Sequence, residues 1–171
     1  MKSIVIYSSL TGNTKQVAEA ITSVLPAGTP CVSMQELPSD VSSYDLVFAG
    51  FWVDKGTANK EARDVLGTLH NPYIALFATA GVPPQMAHAK ESLINAANCL
   101  PDGVEPVGTF ICQGKVDPKV IEMMYKMFPK GHSHGQSADR DARHKQAAVH
   151  PNEDDFKAAQ DFAKDILIKL S

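Results

Sequence analysis

The chain has 171 residues, 44% of them hydrophobic and 20% charged, with a formal net charge of −3. That length buries a substantial core and that balance excludes a disordered chain, while the slightly acidic charge gives no electrostatic case for nucleic acid. The three cysteines, Cys31, Cys99 and Cys112, are widely spaced and form no CxxC pair, so a reduced, cytoplasmic protein is expected.

Residues 2–7 carry the apolar run Ile4-Val5-Ile6-Tyr7 and predict the first strand. This run is too short for a signal-peptide core, and no later segment reaches transmembrane length, so no membrane insertion is expected. In 13–25, Val17, Ala18, Ile21, Val24 and Leu25 share one helical face. Residues 30–34 read as a short second strand, and a polar connection leads to Tyr44. Asp45 to Gly50 is a continuous apolar third strand. A helix over 58–69 follows, with Ala62, Val65, Leu66 and Leu69 on one side, and then the fourth strand over 73–79. Residues 84–100 predict a helix with Pro84 in its first turn, and 105–112 the fifth strand. Residues 113–150 are less regular, with helices expected over 117–128 and 137–148 and a glycine-containing loop over 130–136. The closing helix starts at the cap residue Asn152, has Glu153, Asp154 and Asp155 in its first turn, and keeps Phe156, Ala159, Ala163, Ile166 and Leu170 at helical spacing.

Apolar strands that alternate with helices, without a two-residue polar period, indicate an α/β fold whose parallel sheet is covered on both faces. One domain over 1–171 is expected, with 113–150 as a helical and loop insertion. In such a sheet ligands bind beyond the C-terminal strand ends, so three loops are candidates: 8–14, 50–57 and 79–84. Ser8, Ser9, Leu10, Thr11, Gly12, Asn13 and Thr14 make a hydroxyl-rich turn between a strand and a helix N-terminus, where unpaired N–H groups and the helix dipole favour an anion. The turn carries no Lys or Arg before Lys15, so a phosphate here would be held by neutral dipoles. Phe51, Trp52, Val53, Asp54, Lys55 and Gly56 place two aromatics and the only tryptophan after the third strand. Thr79, Ala80 and Gly81 open a compact, uncharged third loop. Together the three suit a phosphorylated planar ring.

Other phosphate folds fit poorly. There is no GxxxxGK(S/T), no GxGxxG turn and no Cys-x5-Arg, and Asp45 begins its strand where a receiver domain needs acids at strand ends. His132, His134, His144 and His150 have no HExxH or cysteine-containing spacing, so no metal site is expected. The Met123-Met124-Tyr125-Lys126-Met127-Phe128 run reads either as core or as an adaptable docking surface.

The segment Ser9-Leu10-Thr11-Gly12-Asn13-Thr14 fits the (T/S)-x-T-G-x-T signature after a first strand and resembles the flavodoxin-like family over about the whole chain. The loop from Gly50 to Thr57 and Cys112-Gln113-Gly114-Lys115 look like a small bacterial flavodoxin subgroup often paired with reductases. The resemblance implies a three-layer, doubly wound fold with a five-stranded parallel sheet in the order 2-1-3-4-5. It implies FMN as cofactor, with Ser9, Thr11, Asn13 and Thr14 as phosphate donors. Phe51 to Gly56 and Thr79 to Gly81 would wall the isoalloxazine ring, with backbone groups near Gly56 and Gly81 close to N5 and the pyrimidine edge. The expected function is electron transfer with a partner oxidoreductase, either a reductase or an acceptor enzyme, by a monomer or weak dimer. Two alternatives stay open: an FMN-dependent NAD(P)H:quinone or small-molecule reductase, and a non-catalytic accessory subunit. The near-neutral charge and Lys55 depart from the strongly acidic carriers of the family, since a nearby cation favours an anionic reduced flavin.

Overall fold

A computed structural model describes residues 1–171. The strands are β1 (Ser3–Tyr7), β2 (Cys31–Ser33), β3 (Leu46–Asp54), β4 (Thr57–Ala58), β5 (Tyr73–Ala80) and β6 (Gly108–Gln113). The helices are α1 (Asn13–Thr22), α2 (Lys60–Leu66), α3 (Ala87–Ala97), α4 (Pro118–Met127), α5 (Ala138–Ala147) and α6 (Glu153–Lys169). The sheet order is β2-β1-β3-β5-β6, with the short β4 paired only to β3. Every contact along the main path is parallel, and only the β3–β4 pair is antiparallel. With the short β4 set aside, this is the five-strand order 2-1-3-4-5 that the sequence implied.

Side chains alternate across a strand, and that alternation builds two cores. Ile4, Ile6, Val47, Ala49, Phe51, Ile74, Leu76 and Ala78 face Ala62 and Leu66 of α2 and Ala96 of α3. Val5, Leu46, Phe48, Ala75, Phe77 and Cys112 face Val17, Ala18 and Ile21 of α1 and Ala159, Ala163 and Ile166 of α6. The sheet is therefore the middle of three layers. A side chain at Gly50 would collide with this packing, because an added Cβ would sit 2.1 Å from Phe77 Cζ.

The third strand is longer than the expected Asp45 to Gly50. It continues through Phe51 and Trp52, which register with Ala78 and Thr79 of β5, and then turns back as a hairpin into β4. The two turn residues, Lys55 (φ 50°) and Gly56 (φ 79°), are both left-handed, as a tight two-residue hairpin requires. The expected open loop 50–57 is thus mostly strand, since β-prone aromatic residues find a paired neighbour. Helix α3 begins after Met86 rather than at Pro84. Pro83 instead accepts a turn hydrogen bond from the Met86 N–H. Strand β6 starts at Gly108, three residues later than expected.

Helix ends follow their capping chemistry. Asn152 and Asp155 form a reciprocal capping box at α6. The Asp117 carboxylate accepts from the Lys119 N–H at 2.8 Å, with Pro118 in the first turn of α4. The two helices expected between β6 and α6 are present as α4 and α5. Helix α4 buries none of its residues, and Met123 and Met127 are exposed. Their methionine run is surface, not core.

Candidate functional site

Beyond the C-terminal ends of β1, β3, β5 and β6 lies a cavity of about 260 Å³. Four segments wall it. The first is the turn before α1, contributing Ser9, Leu10, Thr11, Asn13 and Thr14. The second is the hairpin, contributing Trp52, Val53 and Asp54, and the third is the end of β5, with Thr79, Ala80 and Gly81. The fourth comprises Gly114, Lys115, Val116, Asp117 and Val120.

The turn is built to present donors. Gly12 adopts φ 92°, a left-handed conformation that ordinary side chains disfavour, and so lets the chain enter α1 abruptly. The Ser9 Oγ accepts from the Gly12 N–H at 3.1 Å and the Lys15 N–H at 3.3 Å. The backbone N–H groups of Leu10, Thr11, Asn13 and Thr14 have no partner within the protein. The exposed Thr11 hydroxyl is likewise free of protein hydrogen bonds. First-turn N–H groups and the positive end of the helix dipole together favour an anion. The nearby cation, Lys15, is exposed and lies 3.9 Å from Glu19. The donors of the turn itself are neutral, while Lys115 brings a second cation to the cavity wall.

Two turn residues have structural partners. The Asn13 Nδ2 donates to the Lys115 carbonyl at 2.8 Å, and Thr14 Oγ1 lies 2.9 Å from Thr79 Oγ1 in a buried hydroxyl pair. Ser8 points away from the cavity. It is buried, accepts from Asn59 Nδ2 at 2.8 Å and donates to Glu61. Its role in this fold is to join the start of the turn to α2.

The hairpin wall differs from the expected one. Trp52 and Val53 are half-buried and border the cavity, Val53 also packing on the core shared with α2 and α3 in which Phe51 is fully buried. Strand alternation sends neighbouring aromatics to opposite sides. Lys55 and Gly56 form the hairpin tip and do not line the cavity; the Gly56 carbonyl accepts from Asn95 Nδ2 of α3 at 2.8 Å. Gly12 also stays off the wall, behind the donors it positions.

The fourth wall is the part that sequence reasoning missed as a site. It follows the end of β6, so the rule that selected the other loops also selects it. Its backbone is fixed by the Gly114 N–H to the Ala80 carbonyl (2.8 Å), the Lys115 N–H to the His150 carbonyl (2.8 Å) and the Asn13 bond. Cys112, just before it, is buried, and that burial, aided by the charge of Asp155, pushes its thiol up to about 12. The thiol stays protonated and is an inert part of the packing. No helix in the structure is long and apolar enough to cross a membrane.

The cavity was tested for its fit to a phosphorylated planar ring. Unpaired N–H donors lie at one end, an indole and small side chains line the walls, and the mouth is open. These features fit a flavin mononucleotide, whose phosphate could be held by Leu10, Thr11, Asn13 and Thr14 and whose ring could lie among Trp52, Val53, Thr79 to Gly81 and Gly114 to Val116.

Comparison with known proteins agrees. A flavodoxin-domain model matches residues 4–164, and the chain belongs to the flavodoxin family. It is 36% identical to the flavodoxin-like domain-containing protein BilS of Clostridioides difficile (strain CD3), across 100% of this chain and 99% of that protein. In fold it is similar to oxidised flavodoxin 1 from Bacillus cereus, with a TM-score of 0.54 at 16% identity and 100% of both chains covered. It is also similar to a flavoprotein in complex with FMN from Lactobacillus acidophilus NCFM, with a TM-score of 0.52 at 19% identity, covering 65% of this chain and 93% of that one.

Proposed function

We propose that this flavodoxin-family chain binds FMN in the cavity at the strand ends and exchanges electrons with a partner oxidoreductase. The observation that carries the reading is the set of four unpaired backbone N–H groups at Leu10, Thr11, Asn13 and Thr14, facing a cavity walled by the single tryptophan. Ser9 already accepts from the Gly12 and Lys15 N–H groups, so the donors left without a protein partner belong to residues on the cavity wall. The similar Lactobacillus flavoprotein, described in complex with FMN, supports the choice of cofactor.

Bound FMN supplies the redox chemistry; the chain's own residues set position and access. The turn N–H groups and the Thr11 hydroxyl orient the phosphate end, and Trp52 and Val53 shield one side of the ring. The mouth carries apolar side chains in water, with Leu10 68% and Val120 39% exposed. Such residues at the rim of a redox site give a partner protein something to cover. The fourth wall, held by three hydrogen bonds, keeps the opposite side of the cavity fixed while a partner docks.

The test is an absorbance spectrum of the purified protein, followed by titration with FMN while the Trp52 emission is monitored. A flavin spectrum, and saturable quenching of Trp52, are expected. Reduction of the bound flavin is then followed with NAD(P)H alone and with an added flavodoxin reductase. Rapid reduction by NAD(P)H alone would instead make the chain a reductase in its own right. Absence of FMN uptake would overturn the proposal.

A further inference from the structure

A second recess, of about 320 Å³, lies between α5 and the connection from β5 to α3, and Gly81 belongs to the walls of both this recess and the first cavity. Its side chains are basic: Arg140, Arg143 and His144 from α5, His134 from the preceding loop and His88 from α3, with no carboxylate among the lining residues. Residues three and four apart share a helix face, so the Arg140, Arg143 and His144 spacing points all three the same way. Neither arginine lies within 4.0 Å of a carboxylate. Arg140 donates to the Ser133 carbonyl, while Arg143 makes no side-chain hydrogen bond at all. Of the two acids of α5, Asp139 and Asp141, both are exposed and neither lines the recess; Asp141 is taken by the Tyr125 hydroxyl at 2.9 Å and by Gln136 Nε2 at 3.1 Å.

We propose that this recess binds the phosphate or carboxylate group of a small anionic molecule whose uncharged part reaches toward the Gly81 wall shared with the first cavity. A planar guanidinium with no internal partner, set in a concave site with a second guanidinium and three imidazoles, matches the geometry of a two-oxygen anion. A plain solvated helix face does not explain the arrangement. Such a face mixes acids with its cations, whereas here the lining of the recess holds no acid and Arg140, Arg143 and His144 are half-buried along it. His144 adds a second sign of incompleteness. Both its ring nitrogens are buried and lack a hydrogen-bond partner. Burial and the charges of Arg140 and Arg143 hold its imidazole below the usual histidine range, against an opposing pull from Asp141. Tyr125 of α4 packs against its ring edge. An anion in the recess would offset the two guanidinium charges and let His144 protonate more readily.

The site does not depend on the flavin reading, and the experiment keeps the two apart. Histidine ring resonances of the full chain, loaded with FMN and then freed of unbound FMN by gel filtration, are followed while inorganic phosphate, pyrophosphate or succinate is added. Saturable shifts at His88, His134 and His144 are expected for at least one anion, together with a rise in the pH at which His144 titrates. Saturation by phosphate or pyrophosphate only assigns a phosphate group, and saturation by succinate only assigns a carboxylate. Arg143→Ala should weaken binding about tenfold or more, with Arg143→Lys between the two, because one charge-assisted bond pair is lost. Arg143 makes no side-chain hydrogen bond or ion pair within the chain, and the melting temperature of each variant separates lost binding from lost folding. Shifts that never saturate with any of the three anions, or equal affinity in Arg143→Ala, would overturn the proposal.

Discussion

The Asn13 Nδ2 donates to the Lys115 carbonyl at 2.8 Å across 102 positions of sequence, binding the first turn of α1 to the loop that follows β6. One residue thus joins the anion-facing end of the cavity to the wall opposite the hairpin. Removing it as Asn13→Ala should loosen residues 114–117 and raise the FMN dissociation constant about five- to tenfold, the effect of one partly exposed hydrogen bond. Asn13→Asp should do worse, since a carboxylate would face both a carbonyl oxygen and the bound phosphate. Fluorescence titration of both variants measures this; an Asp variant with parental affinity would refute the placement of the phosphate.

Gly50 is enforced by contact rather than by backbone conformation. A methyl there would meet the Phe77 ring inside van der Waals distance on three atoms. Gly50→Ala is expected to cost about 2–3 kcal/mol, lowering the melting temperature by about 4–12 °C for a chain of this size. Combining it with Phe77→Leu should recover part of the loss, and calorimetry on the single and double variants would read the difference. A Gly50→Ala protein as stable as the parent would mean that Phe77 moves freely in a core where it is fully buried.

The Cys112 thiol gives a direct probe of burial. Its pKa is raised from 9.0 to about 12 by desolvation, with Asp155 adding to the effect. The folded chain therefore keeps a proton that the unfolded chain loses, and the stability contributed by Cys112 falls as pH rises between about 9 and about 12. At about pH 8 iodoacetamide should modify Cys31 and Cys99, which are half-buried, well before Cys112. Peptide mass analysis of partly alkylated protein would decide; early labelling of Cys112 contradicts the structure.

His144 predicts the opposite pH response. Its folded pKa lies below 6.5, so the unfolded chain takes up a proton first as pH falls. Stability should therefore decline as pH drops below about 6.5, toward the lowered folded value. His144→Gln removes the titrating group and should flatten that part of the profile. Chemical denaturation at several pH values compares the two proteins, and parallel curves would rule out the contribution.

The sequence made the parallel sheet legible because its strands are apolar on both faces, as in Leu46-Val47-Phe48-Ala49. It made the phosphate turn legible because Gly12 and its hydroxyl neighbours sit at a strand-to-helix junction. The hairpin was hidden: Gly50 reads as a strand end, while pairing of Phe51 and Trp52 with β5 is a long-range event that local propensity does not report. For the same reason Phe51 was expected beside Trp52 on one wall, although strand geometry parts them. Ser8 was expected to be a donor because hydroxyls look alike in a sequence; only the fold reveals Asn59 and Glu61 as its partners. The basic recess was illegible because His88 and Arg143 are brought together only when α5 packs beside the end of β5.

The bond from Asn95 to the Gly56 carbonyl moors the hairpin tip to the flank of α3. Turning that peptide over, so that its oxygen faces away from α3, must first break the mooring. The tip therefore behaves as a latch, staying in one pose unless a stronger donor to that oxygen arrives on the far side. Asn95 sets the strength of that latch from a helix that never touches the cavity.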